Sequence, residues 1–254
     1  MRGLAEKVIV VAGGATGIGS ATAKRLGQEG ARVMVGDRNV DGAEKTASAI
    51  VEAGGVAEPF AFDISDEQGC RDLIEAAKSR WGAVNGLYNV AADLSQDNLG
   101  RDSDVVTLPI DVLRHTLDVN LIGYFFTSRH AIPAMLESGG GGIVHMSSGT
   151  TLGYPRMVAY AAAKNGVIAL SRHIAARWGK EGIRSNVVDP GLTMTENQLE
   201  MVTDEEREAA LGFVRAPRLG QPEEIAAMVA FLLSDECLWI NGQTYPTSSM
   251  DGAR

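Results

Sequence analysis

The sequence predicts a doubly wound α/β fold, with a parallel sheet of about seven strands and helices on both faces. Three observations predict it. Short β-branched runs alternate along the chain with Ala-rich amphipathic stretches, and Gly, Asn or Asp turns lie between them. The first run, Val8-Ile9-Val10-Val11, is apolar without alternation, as befits a strand covered on both faces. The chain has 254 residues, 45% of them hydrophobic, enough for a sizeable core, and 30 glycines for the tight connections.

Taken in order, the strands are expected at 7–12, 32–36, 57–62, 86–90, 142–147 and 183–188, with a last one near Gln243. Between them, residues 20–29, 41–53, 66–80, 110–138, 159–178 and 223–233 are helical in length and composition. No linker, low-complexity tract or repeat interrupts the series, so residues 1–254 read as a single domain.

Composition narrows the function. Lys plus Arg number 23 against 32 Asp plus Glu, a net charge of −9, which disfavours a generic grip on nucleic acid or an anionic membrane. The two cysteines, Cys70 and Cys237, stand outside any CxxC or Cys/His spacing, so neither a disulfide framework nor a metal site is expected. The N-terminus lacks an apolar signal core and no stretch is long enough to span a bilayer. The expected location is cytoplasmic.

The first strand runs into Gly13-Gly14-Ala15-Thr16-Gly17-Ile18-Gly19 and then directly into a helix. A strand, a glycine turn and a helix N-terminus place free backbone N–H groups and the positive end of a helix dipole where a pyrophosphate can sit. Gly13, Thr16, Gly17, Ile18 and Gly19 are therefore candidate cofactor contacts in a Rossmann-type dinucleotide-binding domain. Asp37 ends the second strand 18 residues past Gly19, where a carboxylate accepts hydrogen bonds from an adenosine ribose. That acid repels a 2′-phosphate and favours NAD, whereas the neighbouring Arg38 keeps NADP as the lesser alternative. Asp63 and Ile64, after the third strand, fall where an adenine would be met, although Asp63 is equally well placed as a turn acid.

Tyr160 and Lys164 are four residues apart at the start of an Ala-rich helix and share one face of it. A phenol ordinarily titrates at about 10, and a neighbouring ammonium stabilises its phenolate, which suits acid/base work.

With these motifs in this order, the sequence resembles the short-chain dehydrogenase/reductase family in its single-domain branch, over essentially its whole length. Besides the glycine loop and the Tyr160/Lys164 pair, the resemblance rests on Asn89-Val90-Ala91-Ala92, Asn120, Ser147-Ser148 and Asp189-Pro190-Gly191-Leu192-Thr193-Met194-Thr195. It implies that Asn120, Ser148, Tyr160 and Lys164 are catalytic. Tyr160 would exchange a proton with the substrate oxygen, Lys164 would bind the nicotinamide ribose, and the serine would polarise the carbonyl. It further implies cofactor contacts at Asn89, Ala91, Pro190, Gly191, Thr193 and Thr195, and a homotetramer or dimer built on the helices at 110–138 and 159–178. The active serine is read as Ser148 with Ser147 in reserve, because a one-residue slip in a strand turns every side chain over, whereas a shorter loop is easily absorbed. His145 is expected to be packed or hydrogen-bonded.

Substrate loops are expected at 93–109, 149–159 and 192–216. The acids of the first, Asp93, Asp97, Asp102 and Asp104, read as a solvated acidic surface that would discourage an anionic carrier-bound substrate. The third, with Met194, Leu199, Met201, Val202, Leu211, Phe213 and Val214, reads as a hydrophobic lid or as an ordinary packing helix. The resulting expectation is an NAD(H)-dependent oxidoreductase that interconverts a secondary alcohol and a ketone, on a neutral, apolar or cyclic, steroid-like substrate. The alternatives are an NADPH-dependent 3-oxoacyl reductase and a catalytically silent cofactor-binding regulator.

Overall fold

The computed structural model describes residues 1–196, 203–212, 214 and 216–247. Seven parallel strands form one sheet in the order β3-β2-β1-β4-β5-β6-β7: β1 (Val8–Ala12), β2 (Arg32–Asp37), β3 (Val56–Ala61), β4 (Gly86–Asn89), β5 (Gly141–Met146), β6 (Ile183–Asp189) and β7 (Thr244–Pro246). The order reverses between β1 and β4, the switch point at which such sheets open a crevice beyond the strand ends. Every residue of β1 and β6 is buried: β1 is a continuous apolar run, as a central strand requires, whereas β6 takes Arg184 and Ser185 inside with partners, Arg184 donating to Leu232 O at 2.7 Å and Ser185 pairing with Ser171 at 2.9 Å. Pro59 lies in β3, an edge strand, where a missing N–H costs no ladder bond on the open side.

The helices are α1 (Gly17–Gln28), α2 (Val40–Glu52), α3 (Glu67–Trp81), α4 (Ile110–Leu117), α5 (Gly123–Glu137), α6 (Val158–Trp178), α7 (Asp204–Leu211) and α8 (Pro222–Leu233). Leu26, Ile50 and Val229, from α1, α2 and α8, bury against one face of the sheet. Leu73, Met135 and Ile174, from α3, α5 and α6, bury against the other. Caps set the ends: the Asn39 side chain accepts from Gly42 N at 3.1 Å, and Asp66 accepts from Gln68 N and Gly69 N at 3.2 and 3.1 Å. Gly82, at φ 80°, stops α3.

The stretch expected as one helix over 110–138 is interrupted by a π-helical turn, Asp118–Ile122, between α4 and α5. A π turn inserts about one residue, so the apolar pattern keeps its period on either side and is offset by about 100° across the turn, an offset that no particular residue type announces. No helix among the described residues is long and apolar enough to cross a membrane.

Candidate active site

The crevice at the switch point is a cavity of about 990 Å³. Its cofactor end is built from the β1–α1 turn. Gly13 has φ 108°, and a Cβ there would lie 2.4 Å from Ala91 N, while one on Gly19 would lie 1.9 Å from the Gly13 carbonyl oxygen. Only glycine permits this closeness. Thr16 caps α1 without a side-chain hydrogen bond, which leaves the N–H groups of the first turn to a ligand. This turn fits a dinucleotide pyrophosphate.

Asp37 is fixed by two backbone donors, Ala15 N at 3.0 Å and Asn39 N at 2.9 Å, and its carboxylate keeps lone pairs toward the cavity it lines. Arg38 points across to the β4 loop, with its Nη2 3.3 Å from Asp93 Oδ2. The same carboxylate takes His115 Nε2 at 3.0 Å and Ser95 N at 3.0 Å. Burial alone would raise Asp93, but hydrogen bonds from Ser95 and His115 and the charge of Arg38 outweigh it and hold the carboxyl at about 2. Asp63 accepts from Ser65 N and Ser65 Oγ at 2.8 and 2.7 Å, as a turn acid does, and with Ile64 it lines the cavity.

At the other end Tyr160 and Lys164 project from α6 and Ser148 from the end of β5. α6 starts after Met157, whose φ of 61° turns the chain, and its first N–H groups are capped by a loop acid: Asp102 accepts from Ala159 N at 3.1 Å and from Tyr160 N at 2.8 Å. Burial pushes the Tyr160 phenol up, the Asp189 carboxylate pushes it further, and a hydrogen bond with Ser148 opposes both. Ser147 instead turns into the protein, donating to the Lys164 carbonyl at 3.3 Å. The alternation of faces continues past the end of β5 in extended backbone, with Ser148 at φ −163° and ψ 144°; it separates the two serines, and Ser148 is the one beside the phenol.

Lys164 is wholly buried, and burial pulls its ammonium down to about 7. Its Nζ donates to Tyr124 Oη at 3.0 Å and lies 5.4 Å from the centre of the Tyr160 ring. Asp189 is 5% exposed and its Oδ1 has no hydrogen-bond partner; burial raises the carboxyl to about 6. His145 stacks on Tyr124 and sits 3.2 Å from the Asn89 amide nitrogen through Nδ1, and burial lowers it to about 3, so it stays neutral.

Pro190, Gly191, Thr193 and Thr195 line the cavity wall next to α1, and the Thr195 methyl would lie 3.1 Å from a Cβ on Gly17. Gly220 anchors this segment by accepting from Met194 N at 2.8 Å. Ile18 and Ala91 also line the cavity. Two expected residues do not. Asn89 is buried and its amide is spent on His145 and Thr127, and Asn120 lies in the π turn with its Nδ2 donating to Thr116 O at 3.1 Å.

The acidic loop requires a correction. Asp93 and Asp102 are 8% and 0% exposed, not solvated, and each holds a functional segment. Sequence reasoning also missed Tyr124, whose only signal is its spacing of four residues from Asn120 on the same helical run. Of the third loop, Met194 is buried and Val214 lines the cavity; Leu199, Met201, Val202 and Phe213 lie outside the described residues. Among the described residues no group of His, Cys, Asp or Glu is arranged to hold a metal.

A doubly wound sheet with a glycine cradle at one end of its crevice and a Ser/Tyr/Lys cluster at the other defines a dinucleotide-dependent oxidoreductase. A protein-family model described as enoyl-(acyl carrier protein) reductase matches residues 13–249. The chain is 34% identical over 241 residues to a 7α-hydroxysteroid dehydrogenase of Bacteroides fragilis, covering 94% of this chain and 92% of that one. It is 35% identical over 249 residues to a cyclohexanol dehydrogenase of an Acinetobacter species, covering 98% and 94%. A solved 7α-hydroxysteroid dehydrogenase, complexed with NADH and 7-oxo glycochenodeoxycholic acid, superposes with a TM-score of 0.90 at 30% identity over 98% of this chain and 94% of that chain. The chain belongs to the short-chain dehydrogenase/reductase family and is an NAD(P)-dependent enzyme acting on CH–OH groups.

Proposed function

We propose that this enzyme uses NAD to interconvert a secondary alcohol and a ketone on a neutral, fairly apolar or cyclic, steroid-like substrate. The carrying observation is the convergence of Ser148 and Lys164 on Tyr160 in the cavity that the glycine turn also lines. When bound, the nicotinamide supplies the hydride acceptor or donor. Tyr160 takes the hydroxyl proton in oxidation and returns it in reduction, Ser148 donates a hydrogen bond to the substrate oxygen, and the Lys164 ammonium favours the phenolate. Lys164 also has N–H groups to offer the nicotinamide ribose. Asn120, on the helical run that carries Tyr124, would anchor water toward the lysine.

The preference for NAD rests on Asp37, aimed at the ribose, and on Arg38, whose guanidinium is engaged by Asp93 and so has less to offer a 2′-phosphate. Gly13, Thr16, Gly17, Ile18 and Gly19 would cradle the pyrophosphate, Asp63 and Ile64 would meet the adenine, and Ala91, Pro190, Gly191, Thr193 and Thr195 would flank the nicotinamide side. The substrate class is supported by apolar cavity residues Leu94, Leu99, Met157, Leu192 and Val214, and by the hydroxysteroid and cyclohexanol dehydrogenases among its relatives. We further propose a homo-oligomer, and a cytoplasmic protein in keeping with two free, buried cysteines.

The test is nicotinamide absorbance with NAD and NADP over a panel of cyclic, steroidal and acyl-chain alcohols, with Tyr160→Phe beside the wild type. Turnover of cyclic alcohols with NAD, lost by at least about a hundredfold in the variant, is expected for a general acid/base. Turnover of the acyl-chain alcohols with NADP alone would instead favour a 3-oxoacyl reductase.

A further inference from the structure

The lysine that polarises Tyr160 is embedded in the protein interior. Lys164 is wholly buried, and the side chain closest to its ammonium in the hydrogen-bonding sense is a second tyrosine, Tyr124. Tyr124 Oη donates to the Ala91 carbonyl at 3.1 Å, so its lone pairs face the lysine and accept from Nζ at 3.0 Å. The ammonium also lies 4.5 Å from the centre of the Tyr124 ring and 5.4 Å from that of Tyr160, held between two aromatic side chains. Ala91 in turn belongs to the loop that touches Gly13, so one phenol joins the cofactor cradle to the reactive pair.

We propose that Tyr124 is a positioning residue for catalysis: its hydroxyl, anchored on the Ala91 carbonyl, fixes the Lys164 ammonium beside Tyr160 and keeps it charged. The proposal rests on the reading of Tyr160 and Lys164 given above. Its physics is that of a buried charge, which persists only where hydrogen-bond acceptors replace lost water. The titratable groups facing this ammonium are few. Tyr160 comes from its own helix, Tyr124 from α5, neutral His145 from β5, and Asp189 from β6, whose carboxylate bears on Tyr160. His145 is too weakly basic to carry charge at neutral pH, and among these groups Tyr124 supplies the hydrogen-bond acceptor. Without that hydroxyl the lysine loses its proton more readily, and the Tyr160 phenolate forms only at higher pH.

The experiment is the pH profile of kcat/KM for NAD-dependent oxidation of the best cyclic alcohol of the panel, in wild type and Tyr124→Phe. Phenylalanine keeps the ring that stacks on His145 and removes only the hydroxyl. The acid limb should move up by about one pH unit, giving roughly a tenfold loss near neutrality that closes at high pH. Tyrosinate absorbance of the NAD-bound protein, titrated without substrate, should show the same upward displacement. A profile that superimposes on wild type after uniform scaling overturns the proposal, because a packing defect lowers rate without moving the limb. If Tyr124→Phe does not fold, 3-fluorotyrosine at position 124 keeps the contacts and weakens only the acceptor; a smaller upward shift supports the proposal and no shift overturns it. Retained turnover in Tyr160→Phe would overturn the underlying site reading instead, so the two failures are distinguishable.

Discussion

At the scale of single residues, chemistry and stability pull in opposite directions at Lys164. Its ammonium titrates at about 7 in the folded protein against 10.5 when solvated. Between those values the unfolded chain holds the extra proton, so stability rises with pH across that window and the full cost of the buried charge is present below pH 7. Lys164→Met should therefore melt above the wild type in the cofactor-free protein. The margin should be largest below about pH 7 and shrink toward 10.5, and calorimetry over that range checks it; a margin independent of pH would contradict the burial argument. Asp189 has the opposite sign: its carboxyl is raised from 3.8 to about 6, so the folded protein holds the extra proton there and loses stability as pH rises through that interval. The Tyr160 and Lys164 pair was legible because one helical turn brings such spacing onto one face. The ambiguity between Ser147 and Ser148 could be argued from strand alternation, and the Ser148 contact with Tyr160 follows that argument.

At the scale of elements, the start of α6 sets the position of Tyr160. Asp102 supplies both of its carboxylate oxygens to the first N–H groups of this helix, although it lies 58 positions earlier than Tyr160. Asp102→Ala leaves two buried donors unpaired, a cost of about 2 kcal/mol. In a domain of this size that is a fall of about 4–8 °C in melting temperature. kcat should fall as well, because Tyr160 loses its anchor; Asp102→Asn, which retains one acceptor, should recover part of both. An unchanged melting curve for Asp102→Ala would refute the capping role. The strands and most helices could be read from periodicity, since burial on one or both faces writes itself into the order of apolar residues. The π turn at Asp118–Ile122 could not, because the period is the same on both sides of it and only the phase changes, by about 100° at one added residue. Nor could the inward turn of Asp93 and Asp102, for an acid that caps a helix or pairs with an arginine is spelled like one in water. Tyr124 was hidden for the same reason: its partner Lys164 is 40 positions away in sequence.

At the scale of the whole molecule, several large apolar side chains remain uncovered in the single chain. Phe125 on α5 is 49% exposed, Val106 in the loop before α4 is 87% exposed, and Trp239 after α8 is 97% exposed. Such surface supports the proposed homo-oligomer. Sedimentation equilibrium should give a mass that is a whole multiple of 26.8 kDa, at least twofold; a species of 26.8 kDa at micromolar concentration would contradict it. The order of the sheet carries one more consequence. Gly13 and Asp63, in the loops after β1 and β3, and Asp37, at the end of β2, are the residues proposed to meet the pyrophosphate and adenosine, whereas the loops after β4, β5 and β6 hold Asp93, Ser148 and Leu192 on the far side of the switch point. The fold is thereby divided into a conservative half and an experimental one: grafting residues 94–101 and 149–156 from a relative, with Ala91, Ser148 and the 190–195 segment left in place, can retune what is oxidised without rebuilding the machinery that carries the electrons away.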